Sequence, residues 1–552
     1  MLIDIIKDKI RDSIKSQNLD PPSKSKINVE YPKYKKFGDY ATNVALSLSK
    51  KYKKKSMLLA KKLATFLNSD PLFKEVYSEK PGFINFRISY KFLWQTLRDI
   101  YKQKEEFGSN PLKGRNKKVL IEFVSANPTG PLNVVNARAA ALGDSIAKIL
   151  SFLGYYAEKE YFINDAGNQV DLLVESIEYE LNRLDNIEIE ELEDGYKGEY
   201  IINIAKSILD NEGTNIFNLS KKERYNKIKE YAINNILSDQ KKTLKAFKVN
   251  FDNWISESEL RQKGCIEDVL TYLSETGNIF DKDGAVWFCS SKFGDVKDRV
   301  IMRTDGSVTY LVPDLAYHIT KYKRGFDKII DILGPDHHGY TPRLKAGISA
   351  LGYKASILSF ILLQQVNLLI GKQIVKMSKR EGNIITLQQL IDEVGTDVTR
   401  FFFLMRRYNT PLDFDIELAK KQSSENPVYY VQYAHARICS IQNMAKSKKF
   451  KMYNFKHEYL KRLNHDIELD IMRHLVKFPE LITHIGVTYN VNLLTTYLIE
   501  LSSLFHSFYQ KYKVVNPRFM ELSLARLYLC KAVRIVLHNG LSLLGISAPT
   551  KM

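Results

Sequence analysis

Two lysines in one short segment have the type and spacing to act on a charged substrate. Lys376 and Lys379 belong to IGKQIVKMSKREGN, which spans residues 370–383 and also carries glycine and serine. Two ammonium groups on a loop of this composition are suited to stabilising the charge that develops on a triphosphate. Lysine-rich loops are common in this chain, so the tetrapeptide Lys-Met-Ser-Lys is a weak signal when taken alone.

A second candidate phosphate site lies between a predicted strand and a predicted helix. The apolar run at residues 119–124 favours a strand buried on both faces of a parallel sheet, and residues 134–153 have the apolar spacing of one buried helical face. Between them, ANPTGPLNVVN (residues 126–136) contains prolines and a glycine that end the strand. Free backbone N–H groups and the helix dipole favour phosphate at such a junction, although most strand–turn–helix units bind nothing.

Two further predicted strands indicate where a ligand pocket would form. Residues 155–163 complete a strand–helix–strand unit, and residues 327–334 predict another buried strand that ends beside Asp336, His337 and His338. Loops at the carboxyl ends of parallel strands are where such sheets bind ligands. Only Asp336 accompanies the histidine pair locally, so we predict no metal site there.

Local patterns predict several other elements. RTDGSVTYLVPDLAYH (residues 303–318) predicts a turn at Asp305-Gly306 followed by a strand and a helix. KFGDYATNVALSLSKKY (residues 36–52) predicts a turn and a helix, and PGFINFRIS (residues 81–89) predicts a strand. A capping-box pattern at Thr386 and Gln389 predicts the start of another helix.

One carboxylate stands in unusually apolar surroundings. Glu122 is embedded in the apolar run at residues 119–124, between Ile121 and Phe123. Burying a carboxylate there is costly unless a partner neutralises it. We therefore favour a ligand-binding role for Glu122 over a surface ion pair.

Composition limits the class of protein and its partners. The 552 residues include 82 Lys and Arg against 63 Asp and Glu, a formal charge of +19, which points to a polyanionic partner such as nucleic acid. A bias toward Lys, Ile, Asn and Tyr from AT-rich coding is the alternative explanation. No apolar stretch of bilayer length is present. The four cysteines are scattered without paired spacing, so we predict neither a zinc site nor a disulfide framework. Because no disulfides are predicted, the expected compartment is the reducing cytoplasm.

Changes of pattern along the chain predict three domains. A small α/β domain is expected at residues 1–110 and a nucleotide-binding domain at 111–413, with a charged helical insertion at about 170–260. From residue 414 to 552 strand signals fade and the pattern is helical.

These segments resemble the arginyl-tRNA synthetase family of class I aminoacyl-tRNA synthetases. ANPTGPLNVVN is similar to the first signature of the class, and residues 376–379 match its second signature, KMSK, in the expected order. GDYATNVA, PGFIN, YFINDAGNQ and the final GISAPTKM resemble further pieces of the family. The resemblance therefore covers nearly the whole chain.

The resemblance implies a fold, a reaction and its partners. The fold is α/β, with a Rossmann-like class I synthetase catalytic core, an N-terminal additional domain that contacts tRNA and a C-terminal all-α anticodon-binding domain. The reaction is that of an arginine–tRNA ligase, which activates L-arginine with ATP and Mg²⁺ and transfers it to tRNA(Arg). We expect a cytoplasmic monomer that does not contact a membrane.

The resemblance also implies individual site residues. The catalytic residues would be Lys376, Lys379, Asn133 and Asn136. The ATP site would comprise Ala126, Asn127, Pro128, Thr129, Gly130, Pro131, Leu132, Asn133, Val134, Val135, Asn136, Lys376, Met377, Ser378 and Lys379. The arginine site would comprise Glu122, Asn127, Tyr310, Asp314, His337 and His338.

The first signature departs from the family pattern. The family has His, Val, Gly and His where this chain has Asn133, Val134, Val135 and Asn136. Asparagine keeps an N–H₂ donor and is a favoured N-cap residue, whereas Val135 would fill space beside the adenine. The alternative hypothesis is therefore a catalytically impaired, synthetase-like tRNA-binding protein. A third hypothesis, charging of glutamate or cysteine, is opposed by the two acids predicted in the pocket and by the scattered cysteines.

Overall fold

The N-terminal domain is a small α/β unit built on an amphipathic helix. The computed structural model describes residues 1–187, 192, 194–371, 373–374, 385–448, 450, 452 and 455–552. The helices and strands of the N-terminal domain are α1 (Leu2–Lys15), β1 (Tyr40–Thr42), α2 (Val44–Tyr52), α3 (Ser56–Leu67), β2 (Phe73–Glu79), β3 (Phe83–Ile88) and α4 (Tyr90–Gln103). Ile6, Ile10 and Ile14 form the buried face of α1, as their four-residue spacing predicts. The strand predicted in PGFINFRIS is confirmed as β3, which lies between β1 and β2 in an antiparallel sheet.

The first half of the catalytic region contains the predicted strand–helix–strand unit. It comprises β4 (Lys118–Glu122), α5 (Val134–Phe152), β5 (Tyr156–Ile163), α6 (Asn168–Leu184), α7 (Glu199–Glu212), α8 (Asn215–Asn218), α9 (Lys221–Ala246), β6 (Asn253–Ser256), α10 (Glu257–Gln262) and α11 (Cys265–Glu275). Helices α6 to α9 have an apolar core of their own. The unit of β4, α5 and β5 is confirmed, and its strands are parallel.

The second half returns to the same sheet and then leads to the C-terminal domain. It comprises β7 (Ile279–Lys282), β8 (Ala285–Phe288), β9 (Arg299–Met302), α12 (Leu311–Lys323), β10 (Lys328–Leu333), α13 (Thr341–Ala350), β11 (Leu358–Leu362), β12 (Val366–Ile370), β13 (Gln373–Ile374), α14 (Leu387–Val394), α15 (Thr396–Leu404), β14 (Leu412–Asp415) and α16 (Ile416–Lys420). The predicted capping box at Thr386 and Gln389 is confirmed at the start of α14.

The strands of the main sheet are parallel, and their order along the chain reverses at β4. Within the described residues its order is β11-β10-β4-β5-β6. The chain adds β5 and β6 on one side of β4 and later adds β10 and β11 on the other side. The carboxyl ends of β4 and β10 therefore border the crevice in which such sheets bind ligands.

Three local predictions need correction. Residues 40–42 were expected in a turn but form β1, because they pair with β3. The segment after Asp305-Gly306 does not form the predicted strand, because Val308 alone pairs with Met302. The predicted helical insertion extends too far, because Asn253–Ser256 within it is the edge strand of the main sheet.

The C-terminal region is helical, as predicted. Its main helices are α17 (Pro427–Ser447), α18 (Asp466–Val476), α19 (Phe478–Thr488), α20 (Asn492–Lys511) and α21 (Met520–Leu543). One continuous apolar core joins residues of these helices, of α5 and of the N-terminal domain. A second core, formed by α11, α12, α13 and parts of the main sheet, lies apart from it.

In the described part of the chain, no helix combines the length and the apolar character required to cross a lipid bilayer.

Candidate active site

Two adjoining cavities open where the strand order reverses. The larger, of about 690 Å³, is lined by residues from the ends of β4 and β10 and from α12 and α13. The smaller, of about 480 Å³, lies over the start of α5. Both volumes lie in the range of small-molecule sites. The cavities share five lining residues, Val124, Ser125, Asn127, Gln169 and His337.

A tight turn after β4 forms the boundary between the cavities. Val124 and Ser125 have φ values of 71° and 36°, a left-handed conformation that costs a β-branched valine in particular. Ser125 Oγ donates to Glu122 Oε1 at 2.8 Å and accepts the N–H of Phe162 at 3.1 Å. The N–H of Ala126 donates to the Tyr161 hydroxyl at 3.1 Å. Neighbouring side chains thus hold a turn that the backbone alone disfavours.

Asn133 and Asn136 form a reciprocal cap at the start of α5. Asn133 Oδ1 accepts the N–H groups of Val135 at 3.0 Å and Asn136 at 3.1 Å, and Asn136 Oδ1 accepts the N–H of Asn133 at 3.0 Å. Among the described residues, neither side-chain N–H₂ group has a hydrogen-bond partner, and both residues line the smaller cavity. The pair therefore caps the helix with its oxygens and leaves its amide donors for a ligand.

The other residues of the first signature are mostly covered. Pro128, Thr129, Gly130, Leu132 and Val134 are buried, whereas Ala126, Asn127 and Pro131 are half-buried. The insertion holds this loop: the Tyr200 hydroxyl donates to the carbonyl of Thr129 at 2.9 Å, and Gln240 Nε2 donates to that of Gly130 at 2.9 Å.

Val135 is not among the residues that line the smaller cavity. Its side chain is half-buried and packs against the main apolar core. The cavity walls are formed instead by Asn133, Asn136, Thr129 and their neighbours. The fit of an adenine next to Val135 stays a prediction.

The second signature falls outside the described residues. Lys376, Met377, Ser378 and Lys379 all belong to the undescribed range 375–384. The residues that follow it return to the first signature, because Thr386 bridges to Asn133 and the N–H of Leu387 donates to the carbonyl of Leu132 at 2.8 Å. The start of α14, which follows the second signature in sequence, is therefore in contact with the first signature.

The candidate arginine residues lie around the larger cavity, with one exception. Asn127, Tyr310, Asp314 and His337 line it, and Tyr310 is 71% exposed. The Tyr340 hydroxyl donates to Asp314, and burial raises the pKa of this carboxyl. Asn127 Nδ2 donates to Gln169 Oε1 at 2.5 Å. His338 is exposed and lies outside the lining of both cavities.

Glu122 is buried at the floor of the larger cavity and has a partner from the same chain. Lys321 Nζ donates to Glu122 Oε2 at 2.5 Å and to Asp331 Oδ1 at 2.9 Å. Burial raises the pKa of the Asp331 carboxyl, but Lys321 and His318 outweigh that effect and lower it to about 2. Burial disfavours the Lys321 ammonium, yet Asp331 and Glu122 outweigh burial and raise its pKa. Glu122 is thus one member of a buried ion network.

Sequence reasoning missed this network, although a signal for it was present. Asp314, His318 and Lys321 recur at four- and three-residue steps along α12, which places them on one face of that helix. The missing information was their contact with the sheet, which depends on residues far away in sequence. Glu257 was also missed: it is buried near Asp314, and burial raises the pKa of its carboxyl.

Comparisons with known proteins identify the family. The family described as Arginyl tRNA synthetase N terminal domain matches residues 4–88, tRNA synthetases class I (R), catalytic domain, matches residues 96–403, and DALR anticodon binding domain matches residues 431–552. An arginine–tRNA ligase of Anoxybacillus flavithermus is 41% identical over 563 residues, covering 100% of both chains. This chain belongs to the arginyl-tRNA synthetases.

Other arginyl-tRNA synthetases give the same result over the whole chain. An arginine–tRNA ligase of Bacillus subtilis is 41% identical over 554 residues, covering 100% of this chain and 99% of its own. The solved structure of the Thermus thermophilus arginyl-tRNA synthetase superposes with a TM-score of 0.76 at 21% identity, covering 100% of both chains. This last similarity shows the fold alone. The family and the mixed α/β fold predicted from sequence are therefore confirmed.

Proposed function

We propose that this arginyl-tRNA synthetase activates L-arginine with ATP and transfers the arginyl group to tRNA(Arg). The observation that carries the proposal is the meeting of two cavities at the turn of Val124 and Ser125. One cavity offers a carboxylate for a guanidinium, and the other offers neutral N–H donors for a triphosphate. Substrates in these cavities would meet at the turn, where the arginine carboxylate attacks the α-phosphorus of ATP.

Arginine recognition is assigned to the larger cavity. A guanidinium is always charged and carries five N–H donors, so it needs an anion and further acceptors. Asp314 supplies the anion, Asn127 and Tyr310 supply polar contacts, and His337 lies at the junction with the smaller cavity. Glu122 contributes through the ion network in the floor, since its oxygens already accept from Lys321 and Ser125.

ATP recognition is assigned to the first signature and to KMSK. The side-chain N–H₂ groups of Asn133 and Asn136 donate to the triphosphate, and Lys376 and Lys379 supply positive charge in the transition state. No carboxylate lines the smaller cavity in the described part of the chain. This lining fits Mg²⁺ that is bound to ATP and keeps phosphate and water ligands.

The proposal also covers the tRNA and the setting of the enzyme. Transfer to the terminal ribose of tRNA follows activation in the same cleft, while the N-terminal and helical domains contact the rest of the tRNA. A cytoplasmic setting is consistent with four cysteines that are all unpaired thiols, and the proposed oligomeric state is a monomer.

The deciding experiment is tRNA-dependent charging with labelled arginine. It compares the parent with a variant that restores the family pattern, Asn133→His, Val135→Gly, Asn136→His. We expect the parent to charge tRNA, because its asparagine donors remain available. Charging by the restored variant alone would contradict the proposal.

That contrary result would favour the second candidate function, a tRNA-binding protein with an impaired ATP site. The observation behind this candidate is the loss of both histidines and the glycine of the first signature. Filter binding of tRNA together with an assay of diphosphate release separates the two functions, because both proteins would bind tRNA but only the active enzyme would release diphosphate. Competition among the twenty amino acids tests the choice of arginine.

A further inference from the structure

Three carboxylates lie side by side across the main sheet. In the parallel register, Asp331 of β10 is opposite Glu122 of β4, and Glu122 is opposite Glu160 of β5. All three are buried, with exposures of 1%, 7% and 0%. Carboxylates at such positions repel one another and are costly to bury, so the fold must supply cations.

The last turn of helix α12 and the residue that follows it supply those cations. Lys321, which is fully buried, donates to both Glu122 and Asp331 and lies 4.3 Å from the centroid of the Tyr317 ring. Arg324, just beyond α12, contacts Glu160 at 2.5 Å. Two cations at the end of α12 therefore contact all three acids of the row.

The region around Glu122, His318 and Asp331 has the geometry of a cation site. Their potential ligand atoms lie within 4.8 Å of one another. The Lys321 ammonium donates to Glu122 and Asp331 and lies 3.5 Å from Nε2 of His318. The Lys321 ammonium therefore occupies the place among these three residues to which a free cation would otherwise bind.

The same network faces the larger cavity. Glu122, Asp331, Asp314 and the exposed Asp336 are the acids that line it among the described residues. Lys321 donates to the first two, whereas the hydroxyl partner of Asp314, Tyr340, is uncharged. An incoming guanidinium therefore finds at Asp314 a half-buried carboxylate whose hydrogen-bond partner carries no charge.

We propose that Lys321 is a positioning residue for arginine recognition: as the resident cation of the cavity floor, it directs the substrate guanidinium to Asp314. Lys321 also holds Glu122, whose other oxygen fixes Ser125 in the turn that precedes Asn127. This inference rests on the proposed function, since it assigns the specificity of that same site.

Removal of the ammonium followed by its replacement in solution tests the proposal. In Lys321→Ala the missing atoms correspond to propylammonium. We expect kcat/KM for arginine to fall at least about tenfold, because the exposed floor carboxylates compete for the guanidinium. Propylammonium should restore kcat/KM to within about threefold of the parent, a response that a purely structural lysine would not show.

Controls separate this result from misfolding and from failure of the proposed function. Lys323→Ala, at an exposed position of the same helix, should behave as the parent and ignore propylammonium. The affinity of Lys321→Ala for tRNA should equal that of the parent. Calorimetry should show propylammonium binding to Lys321→Ala and none to the parent, a readout that needs no catalysis. If the parent fails to charge arginine, the proposed function is refuted. The role of Lys321 as the resident cation can then still be tested by calorimetry of propylammonium binding to Lys321→Ala.

Two outcomes would overturn the proposal. One is a folded Lys321→Ala enzyme with the kcat/KM of the parent, and the other is a loss of activity that propylammonium does not repair. If Lys321→Ala does not fold, Ser125→Ala decides, since it leaves the buried ion pairs intact. Ser125→Ala should raise the KM for arginine without affecting tRNA binding, and an unchanged KM would contradict the role of Lys321 in holding the turn.

Discussion

At the scale of single residues, Asn133 uses the two ends of one amide for different purposes. Its oxygen caps α5, and its N–H₂ group faces the smaller cavity. A histidine can donate to phosphate at such a place, but asparagine is among the best residues at an N-cap. The departure from the family pattern therefore leaves α5 well capped.

Substitution of Asn133 can separate these two functions. Asn133→Asp keeps the capping oxygen but removes the donor, so stability should stay near that of the parent while kcat falls about a hundredfold. Asn133→Ala should lose the same activity and, in addition, about 1 kcal/mol of stability. Thermal unfolding and pre-steady-state adenylate formation measure the two effects. Full activity of Asn133→Asp would show that the amide donor is not used.

Asp314 should make arginine recognition dependent on pH. Burial raises its pKa, and a protonated carboxyl cannot attract a guanidinium. The KM for arginine should therefore rise as the pH falls through this raised pKa, and the KM for ATP should follow a different profile. Asp314→Asn should raise the KM for arginine about a hundredfold and abolish this pH dependence. A steep profile that persists in Asp314→Asn would assign the titration to another group.

The residues that could be predicted from sequence are those with a local signal. Glu122 was recognisable as an acid in apolar surroundings, Asp314 through the family resemblance, and Asn133 as a helix cap. Lys321 was not, because its partners Glu122 and Asp331 join it only through the register of β4 and β10. Its burial depends on contacts among three elements distant in sequence, which no local pattern encodes.

At the scale of elements, helix starts were predicted well and edges of sheets poorly. The start of α14 follows from Thr386 and Gln389, three residues apart, whose mutual bonds need no distant partner. By contrast, β1 and β6 exist because they pair with β3 and β5. Pairing partners are a tertiary property, so short edge strands cannot be distinguished from turns by composition.

The cap at Thr386 should matter for catalysis as well as for stability. Thr386→Ala removes the capping oxygen of α14, which costs about 1 kcal/mol, and loosens the bridge to Asn133. We expect the KM for ATP to rise severalfold, since this bridge joins the chain after KMSK to the first signature. Thr386→Ser retains the hydroxyl and serves as the matched control. Equal KM values in both variants would mean that the bridge has no catalytic role.

At the scale of the whole molecule, the N-terminal and helical domains share a buried carboxylate. Glu480 of α19 accepts from the N–H of Ile3 at 2.6 Å, from the Tyr40 hydroxyl at 3.2 Å and from the Tyr31 hydroxyl. Tyr101 of α4 also stacks on Tyr528 of α21, with ring centroids 4.6 Å apart. The two domains therefore pack closely although they lie at opposite ends of the chain.

Loss of Glu480 should weaken this contact between domains. Glu480→Ala leaves three donors without their acceptor and should cost about 2–4 kcal/mol of the free energy of unfolding. Hydrogen exchange should rise first in α1 and in the strand that contains Tyr40, while arginine KM stays unchanged. A matched change at the exposed Glu458 should alter neither quantity. Exchange confined to α19 would show that Glu480 stabilises only its own helix.

The continuous core across the three domains has a consequence for the history of such a chain. Modular proteins can exchange a domain by recombination because each module keeps its own interior. Here the apolar residues of α1, α4, α5 and the C-terminal helices belong to one interior. An exchanged N-terminal segment would meet a surface shaped for another partner, so both sides of this contact must be inherited together.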